Sequence, residues 1–579
     1  MSGGAPVGGG ERLDLNLLWC RAIAGELHRA GVRHVLLTLG GRSAAMVLTL
    51  QQDPRFETMT RVDERGAAFL ALGIARTTGR PVAVVTTSGS AVANLLPALA
   101  EAAAWGTPLV LVTCDRPNEE RAGGGPQSSD HLGLCAALVA AALDLPEPSP
   151  EPAALAALRL SLADTLRFAL PGPAGGPVQI NVPQLGRVAS LDAAATRAEL
   201  QLPPGEASPL AAPARQQEDL APLIARLALR PGLRGLIVAG PETPVPPAWI
   251  AELAGASGFP LLADAASGLR RPAAPNLVAL ADLLVLSPDF AGEPPDLVVQ
   301  VGAAPVSHGL HAYLRRHGAR VLRIARAPVA ADFLHAAPEI LVAPSQGQLA
   351  ELGAALGPGD AAWRARWLGA DAALEARREA ALEAAGWGDA QAAAVACNAP
   401  GFGLTLLANS MAARLGNLFC RPGEAAHPIL CNRGVNGIDG TLSTFLGALV
   451  GAKARGLALI GDQAMLHDLP SLEPLAERSL DGCICLLNNK GPGIFDLSIW
   501  PEDAALRRQL RRETQIDFGP IAAGFGLAYE RVGEAAALSA ALERAASRDG
   551  LSLVEADLPE AALFERFGGV VRHWLGVGG

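Results

Sequence analysis

The stretch LALIGDQAMLHDLPSLEPLAERSLDGCICLLNNKG, residues 457–491, holds two apolar runs that both end on polar groups, Gly461-Asp462-Gln463 and then Asn488-Asn489. Short apolar runs bounded by turn residues read as buried strands. Twenty-four residues separate the two polar groups, enough for a helix and a crossover back to an adjacent parallel strand. Asp462 and Asn489 are then expected side by side at the carboxyl edge, where open α/β sheets bind ligands. An aspartate, an amide oxygen and the Gly491 carbonyl form half of an octahedral oxygen shell, of the kind that holds Mg²⁺ against phosphate groups.

The pattern recurs outward from this stretch. HVLLTL (34–39), PVAVVTT (81–87), PLVLVTC (108–114) and VQINV (178–182) alternate with alanine-rich segments. After the Pro/Ala-rich LQLPPGEASPLAAPARQQ (200–217), which reads as a linker, come GLIVAG (235–240), LVVQVG (297–302) and RVLRIA (320–325). A helical region (361–396) leads to PILCNRG (428–434), GLALIGD (456–462), CICLLNN (483–489) and LSLVEADL (551–558). Such alternation implies parallel sheets covered by helices. The expected class is α/β, with three doubly wound parallel-sheet domains at 1–190, 205–350 and 395–579. The first and third carry chemical punctuation at their strand ends, and the middle one carries little.

A chain of 579 residues exceeds one ordinary domain, and with half its residues apolar it has ample core. Its net charge of −10 lacks the basic excess of a nucleic-acid-binding surface, so any anionic ligand must meet locally clustered arginines. Eight cysteines without CxxC or zinc spacing read as reduced thiols of a cytoplasmic protein, Cys483 and Cys485 as core. The opening MSGGAPVGGGERLDLN has neither the basic nor the apolar region of a signal peptide. The long uncharged stretch at 81–100 is interrupted by TTSGS, so no membrane span is expected. There is no G-x-S-x-G elbow, Walker A loop or HExxH, and no G-x-G-x-x-G after a strand. TSGSAVAN (87–94) reads as a turn for close backbone approach to a cofactor or partner subunit rather than as a serine nucleophile.

Residues 457–491 resemble the GDG…NN signature of thiamine-diphosphate (ThDP) enzymes, with Gln463 replacing the final glycine. VDERGAAFLALGIARTTGRPVAVVTTSGSAVANLLPALAEAAAWGTPLVLVTCDRP (62–117) resembles their pyrimidine-binding domain. CNRGVNGIDGTLST (431–444) is similar to the NRGxxGIDGxxST pattern of the 2-succinyl-5-enolpyruvyl-6-hydroxy-3-cyclohexene-1-carboxylate synthase (MenD) family of menaquinone biosynthesis. DRPNEERAGGGPQSSDHLG (115–133), GFPLLADAASGLR (258–270) and LANSMAARLG (407–416) resemble three further motifs of that family, in the correct order. The resemblance spans essentially the whole chain. It implies a ThDP-binding fold, with pyrimidine (1–190), middle (205–350) and diphosphate (395–579) domains.

The resemblance also implies an activity: 2-oxoglutarate is decarboxylated on ThDP and the succinic-semialdehyde carbanion equivalent is added to isochorismate. The enzyme would be a cytoplasmic transferase, a homodimer or homotetramer with active sites at subunit interfaces, with no nucleic-acid partner. It places Glu64 against N1′ of the aminopyrimidine, where an acid favours the imino tautomer that removes the C2 proton. It assigns Mg²⁺ to Asp462, Asn489 and Gly491, with Mn²⁺ an alternative, and gives Ser410 and Ile438 to the cofactor. Both substrates carry carboxylates, which guanidinium forks bind bidentately, and Arg42, Arg116, Arg414 and Arg433 fall on substrate positions. Gln127, His308 and Phe495 complete the pocket.

This chain also departs from the family pattern. LGGRS in place of PGSRS leaves Gly41 without a hydroxyl beside Arg42, and APVSHGL puts His308 where lysine is common. An unperturbed imidazole is only partly charged at neutral pH. NNKGP in place of NNDGG or NNNGG sets Lys490 and Pro492 around the Gly491 carbonyl, so coordination requires Lys490 to point outward. IFDLSIW replaces IFxxLP and reshapes the pocket wall. The competing readings are another ThDP-dependent 2-oxo acid carboligase or decarboxylase, and a non-catalytic relative.

Overall fold

The computed structural model describes residues 9–172, 175–185, 210–212, 219–327, 333–423, 426–473, 479–495, 505, 509, 515–559 and 563–576. The linker expected at 200–217 therefore lies outside the described residues apart from 210–212.

Three six-stranded sheets carry the fold, and the pairing between their neighbouring strands is parallel throughout. The first contains β1 (His34–Thr38), β2 (Glu57–Arg61), β3 (Val82–Thr86), β4 (Leu109–Asp115), β5 (Ala141–Asp144) and β6 (Val178–Pro183), in the order β2-β1-β3-β4-β6-β5. The second contains β7 (Gly235–Ala239), β8 (Leu261–Ala263), β9 (Leu277–Val278), β10 (Leu297–Val301), β11 (Arg320–Ala325) and β12 (Glu339–Val342), in the order β12-β11-β10-β7-β8-β9. In the third, β13 (Leu404–Leu407), β14 (Ile429–Leu430), β15 (Gly456–Gly461), β16 (Gly482–Asn488), β17 (Ala528–Val532) and β18 (Leu551–Asp557) run β14-β13-β15-β16-β18-β17.

Helices covering both faces bury a parallel sheet, so its central strands are apolar throughout rather than alternating. β1, β3 and β4 are buried at every position, as are β7, β10 and β16. Of the apolar run at 428–434 only Ile429–Leu430 pairs as a strand, because the chain then leaves the ladder at Cys431.

Each sheet has a switch point in its strand order, between β1 and β3, between β7 and β10, and between β13 and β15. Chains leave in opposite directions there, and a crevice opens outside the carboxyl ends of the strands.

The chain divides into two compact units. One comprises Met1–Ala214, Asp439–Lys453 and Asp468–Leu480; the other comprises Arg215–Ile438, Ala454–His467 and Asp481–Gly579. In the first, the helix Thr441–Ala452 lies on the helix Glu64–Thr78 through glycines: a Cβ on Gly73 would stand 2.1 Å from the Thr444 carbonyl oxygen, and one on Gly447 would stand 2.0 Å from that of Leu70. Among the described residues no helix is long and apolar enough to cross a membrane.

Candidate active site

In the first unit the candidate side chains sit on the segments that follow β1 to β4. Glu64 opens the helix that follows β2. Asp63 caps that helix, its two oxygens accepting the N–H groups of Arg65 and Gly66 at 3.1 Å each, which satisfies donors that a helix start leaves orphaned. Arg65 pairs with Asp468 at 3.3 Å, and Asp468 accepts the Ser443 N–H at 3.1 Å, so the glutamate helix is tied down at its first turn. Glu64 Oε2 accepts a hydrogen bond from Asn94 Nδ2 at 3.1 Å.

Arg42 follows β1 and Arg116 follows β4. Arg42 Nη2 donates to Glu120 Oε2 at 2.7 Å, and Arg116 Nη1 donates to the same oxygen at 3.0 Å. Desolvation raises the Glu120 carboxyl, but the Arg116 hydrogen bond and the Arg42 charge outweigh it and hold the group below the usual carboxylate range. Gln127 has φ 62, a left-handed backbone that side chains adopt at a cost, and its Nε2 donates to the Ser88 carbonyl at 3.1 Å. A Cβ on Gly89 would stand 2.6 Å from Gln127 Cγ. The Gly89 turn is thus closely packed by the Gln127 side chain.

Beneath these residues lies a polar network that the sequence did not advertise. Buried His131 has Nδ1 at 2.9 Å from Asn181 Oδ1, and its Nε2 accepts the Gly89 N–H at 3.4 Å. Nε2 is thus the acceptor and Nδ1 carries the proton. Asn181 Nδ2 donates to Asp115 and Asp144 at 3.1 and 2.8 Å, and Asp115 accepts the Arg116 N–H at 2.7 Å. One network thus supports the Gly89 turn and the backbone of Arg116.

In the second unit Asn409 and Ser410 leave β13. The Asn409 amide donates to the carbonyls of Asn432 and Gly437 and accepts from Arg433 Nη1 at 3.2 Å, which pins the loop 432–438 to the strand end. Ser410 has φ 67 and ψ −126, a sparsely populated conformation that costs free energy. Its carbonyl accepts from Arg414 Nη1 at 2.8 Å, while Arg414 Nη2 lies 3.4 Å from His308 Nε2. A guanidinium only donates, so His308 is the acceptor and is neutral. Burial, then the charges of Arg414, Arg433 and Arg315, lower the His308 pKa from its ordinary 6.5.

Asp264, at the end of β8, accepts the Val306 N–H at 2.7 Å and so holds the segment leading into His308. Burial and then the Asp282 charge push Asp264 up to about 7. Ile438 is half-buried, and Phe495 is exposed at 39 %.

β15 and β16 are adjacent and parallel, with Gly461 opposite Leu487, so the two strand ends carry Asp462 and Asn489 to one edge of the sheet. Both side chains are buried, at 4 % and 7 % exposure. Asn489 Nδ2 donates to Asp389 Oδ1 at 3.1 Å, which fixes the amide with its nitrogen on that acid and its oxygen on the opposite side. One carboxylate, one oriented amide oxygen and a glycine carbonyl are all hard oxygen donors, the set that suits Mg²⁺ or Mn²⁺ and not a thiophilic metal. Lys490 Nζ lies 3.4 Å from Asp557, so this cation is neutralised by an acid at the end of the neighbouring β18. With Lys490 at φ 61 and Gly491 at φ 148, the turn adopts a backbone that favours glycine at the second position. The residues fit a divalent cation. Among the described residues no group of three or more His, Cys, Asp or Glu could hold a metal, so any metal site here draws on amide and carbonyl oxygens.

Comparison with known proteins adds two findings. The family model "Thiamine pyrophosphate enzyme, N-terminal TPP binding domain" matches residues 20–134, and "Thiamine pyrophosphate enzyme, C-terminal TPP binding domain" matches residues 427–556. Proteins named 2-succinyl-5-enolpyruvyl-6-hydroxy-3-cyclohexene-1-carboxylate synthase are similar along nearly their full length. That of Rubrobacter xylanophilus is 36 % identical over 93 % of this chain and 95 % of its own. That of Sorangium cellulosum is 35 % identical over 94 % and 93 %, and that of Roseiflexus castenholzii 33 % over 93 % and 95 %.

Proposed function

Because the chain belongs to the 2-succinyl-5-enolpyruvyl-6-hydroxy-3-cyclohexene-1-carboxylate synthase family of thiamine-diphosphate enzymes, we propose that it decarboxylates 2-oxoglutarate and joins the remaining succinyl unit to isochorismate. This is a step of menaquinone biosynthesis that releases CO₂. The observation that carries the reading is the placement of cations. Arg42 and Arg116 converge at strand ends of the first sheet, and Arg414 meets His308, beside Arg433, at strand ends of the other two. A reaction between two carboxylate-bearing substrates needs two such clusters, and holding both reactants oriented turns a bimolecular encounter into a unimolecular one.

ThDP, when bound, supplies the nucleophilic carbon and the electron sink for the departing carboxylate. Glu64 holds a proton against the aminopyrimidine ring, and Asn94 fixes that carboxyl by its hydrogen bond. Asp462, Asn489 and the Gly491 carbonyl hold Mg²⁺ or Mn²⁺, which neutralises the cofactor's diphosphate; Ser410 and Ile438 contact the cofactor. Arg42, Arg116, Gln127, Arg414, Arg433, His308 and Phe495 bind and enclose the substrates. The domain division 1–190, 205–350 and 395–579 assigns the pyrimidine to the first domain and the diphosphate to the third. In this reading the protein is cytoplasmic, has no nucleic-acid partner, and works as a homodimer or homotetramer with its sites at subunit interfaces.

The test is incubation of purified protein with ThDP, Mg²⁺, 2-oxoglutarate and isochorismate, with the product identified by mass. Isochorismate carrying the added succinyl unit supports the reading. Turnover of other 2-oxo acids in its place would reassign the substrate, and a Glu64→Gln variant with full activity would remove Glu64 from its role.

A further inference from the structure

β1 and β4 are not neighbours. β3 lies between them, which puts the strands about 10 Å apart. Nevertheless the guanidinium groups that follow them, Arg42 and Arg116, meet at one oxygen, Glu120 Oε2, at 2.7 and 3.0 Å. An i,i+4 ion pair accounts for Arg116 with Glu120, but not for Arg42, which arrives from across the sheet and is also held by the Gln184 carbonyl at 3.3 Å. Both arginine side chains are largely buried, at 17 % and 14 % exposure, whereas Glu120 is 45 % exposed and stands on the five-residue helix Asn118–Ala122. The cations are built into the site and the anion reaches in from the surface. A carboxylate oxygen is what this pair of guanidiniums is arranged to hold.

We propose that Glu120 sets the affinity of the site for carboxylates: its carboxylate occupies the Arg42–Arg116 clamp and is exchanged for a substrate carboxylate on binding. The inference rests on the reading that these arginines meet a substrate. The exchange forms and breaks only ion pairs. Glu120 swings to water, where an exposed glutamate is well solvated, and the incoming carboxylate takes its two donors. Two partly exposed ion pairs lower the apparent affinity of an incoming carboxylate about tenfold. That penalty falls on every carboxylate alike, so only a ligand anchored at further points overcomes it. A carboxylate with no further anchor therefore occupies the clamp about tenfold less often at the same low concentration.

The experiment compares wild type, Glu120→Gln and Glu120→Ala as holoenzymes with ThDP and Mg²⁺. Dissociation constants for isochorismate alone, and for succinate as an unreactive probe, come from calorimetry; KM and kcat come from turnover. In both variants one of the two dissociation constants should fall about tenfold, the KM of the corresponding substrate should fall with it, and kcat should stay within about twofold. Glu119→Gln, an exposed acid on the same short helix, should change none of these. Dissociation constants and KM values that stay the same or rise in Glu120→Gln would overturn the proposal. The two readings fail separately. Tightened binding in a protein without synthase turnover would keep the clamp and lose the reaction, whereas normal turnover with unchanged binding would do the reverse.

Discussion

Replacing Gly447 by alanine should damage both stability and turnover, for one geometric reason. The added methyl would stand 2.0 Å from the Leu70 carbonyl oxygen, whereas a carbon settles about 3.3 Å or more from such an oxygen. That carbonyl is part of a helix and cannot turn aside. The helix Thr441–Ala452 must therefore back away from Glu64–Thr78 by about 1 Å, the shortfall between those two distances. Overpacking of this kind costs about 1–3 kcal/mol, and the better helix propensity of alanine returns at most about 1 kcal/mol. The net loss is on the order of 1–2 kcal/mol, a few degrees in Tm.

Turnover should suffer more if Glu64 has its proposed role, because it is the first residue of the displaced helix and a misplacement of about 1 Å at a catalytic group can cost about a hundredfold in rate. The assay is thermal unfolding alongside kcat at saturating ThDP, Mg²⁺ and both substrates. Gly25→Ala is the control. It lies in the helix Gly9–Arg29, and a Cβ there meets nothing within 4 Å, so it should be neutral or stabilising. A Gly447→Ala protein that matches Gly25→Ala in Tm and kcat would refute the reasoning.

Three further outcomes can be measured. Asp462→Ala should weaken ThDP binding at least tenfold at fixed Mg²⁺, read by calorimetry, and unchanged affinity would sink the metal assignment. Asp264, with a pKa raised from 3.8 to about 7, keeps in the folded state a proton that the unfolded chain has released. Its contribution to stability is therefore complete below about pH 4 and is lost as the pH rises through about 7. Asp264→Asn should consequently gain in Tm over wild type from pH 5 to pH 8, and parallel Tm curves would exonerate Asp264. His308, held below its ordinary 6.5 by burial and then by the neighbouring arginine charges, should bind a substrate carboxylate without charge at pH 8. His308→Lys should lower that KM severalfold, and the wild-type KM should fall toward it as the pH is lowered and the imidazole takes up a proton; a KM indifferent to both would take His308 out of the site.

The parts of the fold visible in the sequence were those buried from both sides. CICLLNN, PLVLVTC and LVVQVG are read directly as strands because a two-faced core admits only apolar residues, and each forms a fully buried strand. Most edge strands escaped detection, β14 within PILCNRG excepted. β2 (ETMTR) ends on an exposed Glu57 and a buried Arg61, and β17 (AYERV) carries a half-buried Glu530 and an exposed Arg531, so neither alternation nor an apolar run marks them. β13 (LTLL) is buried throughout but is too short to stand out in an alanine-rich chain. Nor could composition show that the Thr441–Ala452 segment belongs with the first unit. That follows from glycines that let two helix backbones touch, and a glycine in a helical run looks like a weakness until its partner is known.

For the candidate site, motif spacing singled out residues at strand ends and passed over the side chains hydrogen-bonded behind them. Asp462 and Asn489 were legible because two strand ends and a crossover fix their relation within the chain. Lys490 was ambiguous for the opposite reason. Its partner Asp557 lies at the end of a strand added late in the sequence, and only the β16–β18 register, with Asn488 opposite Asp557, brings the acid beside it. His131 and Asn181 read as ordinary core until the Gly89 N–H is found on the imidazole. Glu120 is the sharpest case. In PNEERAGGG it looks like an acid in the first turn of a helix, where a carboxylate is favourable anyway, so the sequence offers a sufficient explanation that is silent about the site. What changes the reading is Arg42, which precedes it by 78 residues and has no local reason to seek it. A surface acid that neutralises a cation from across the sheet acts on whatever else that cation is meant to bind.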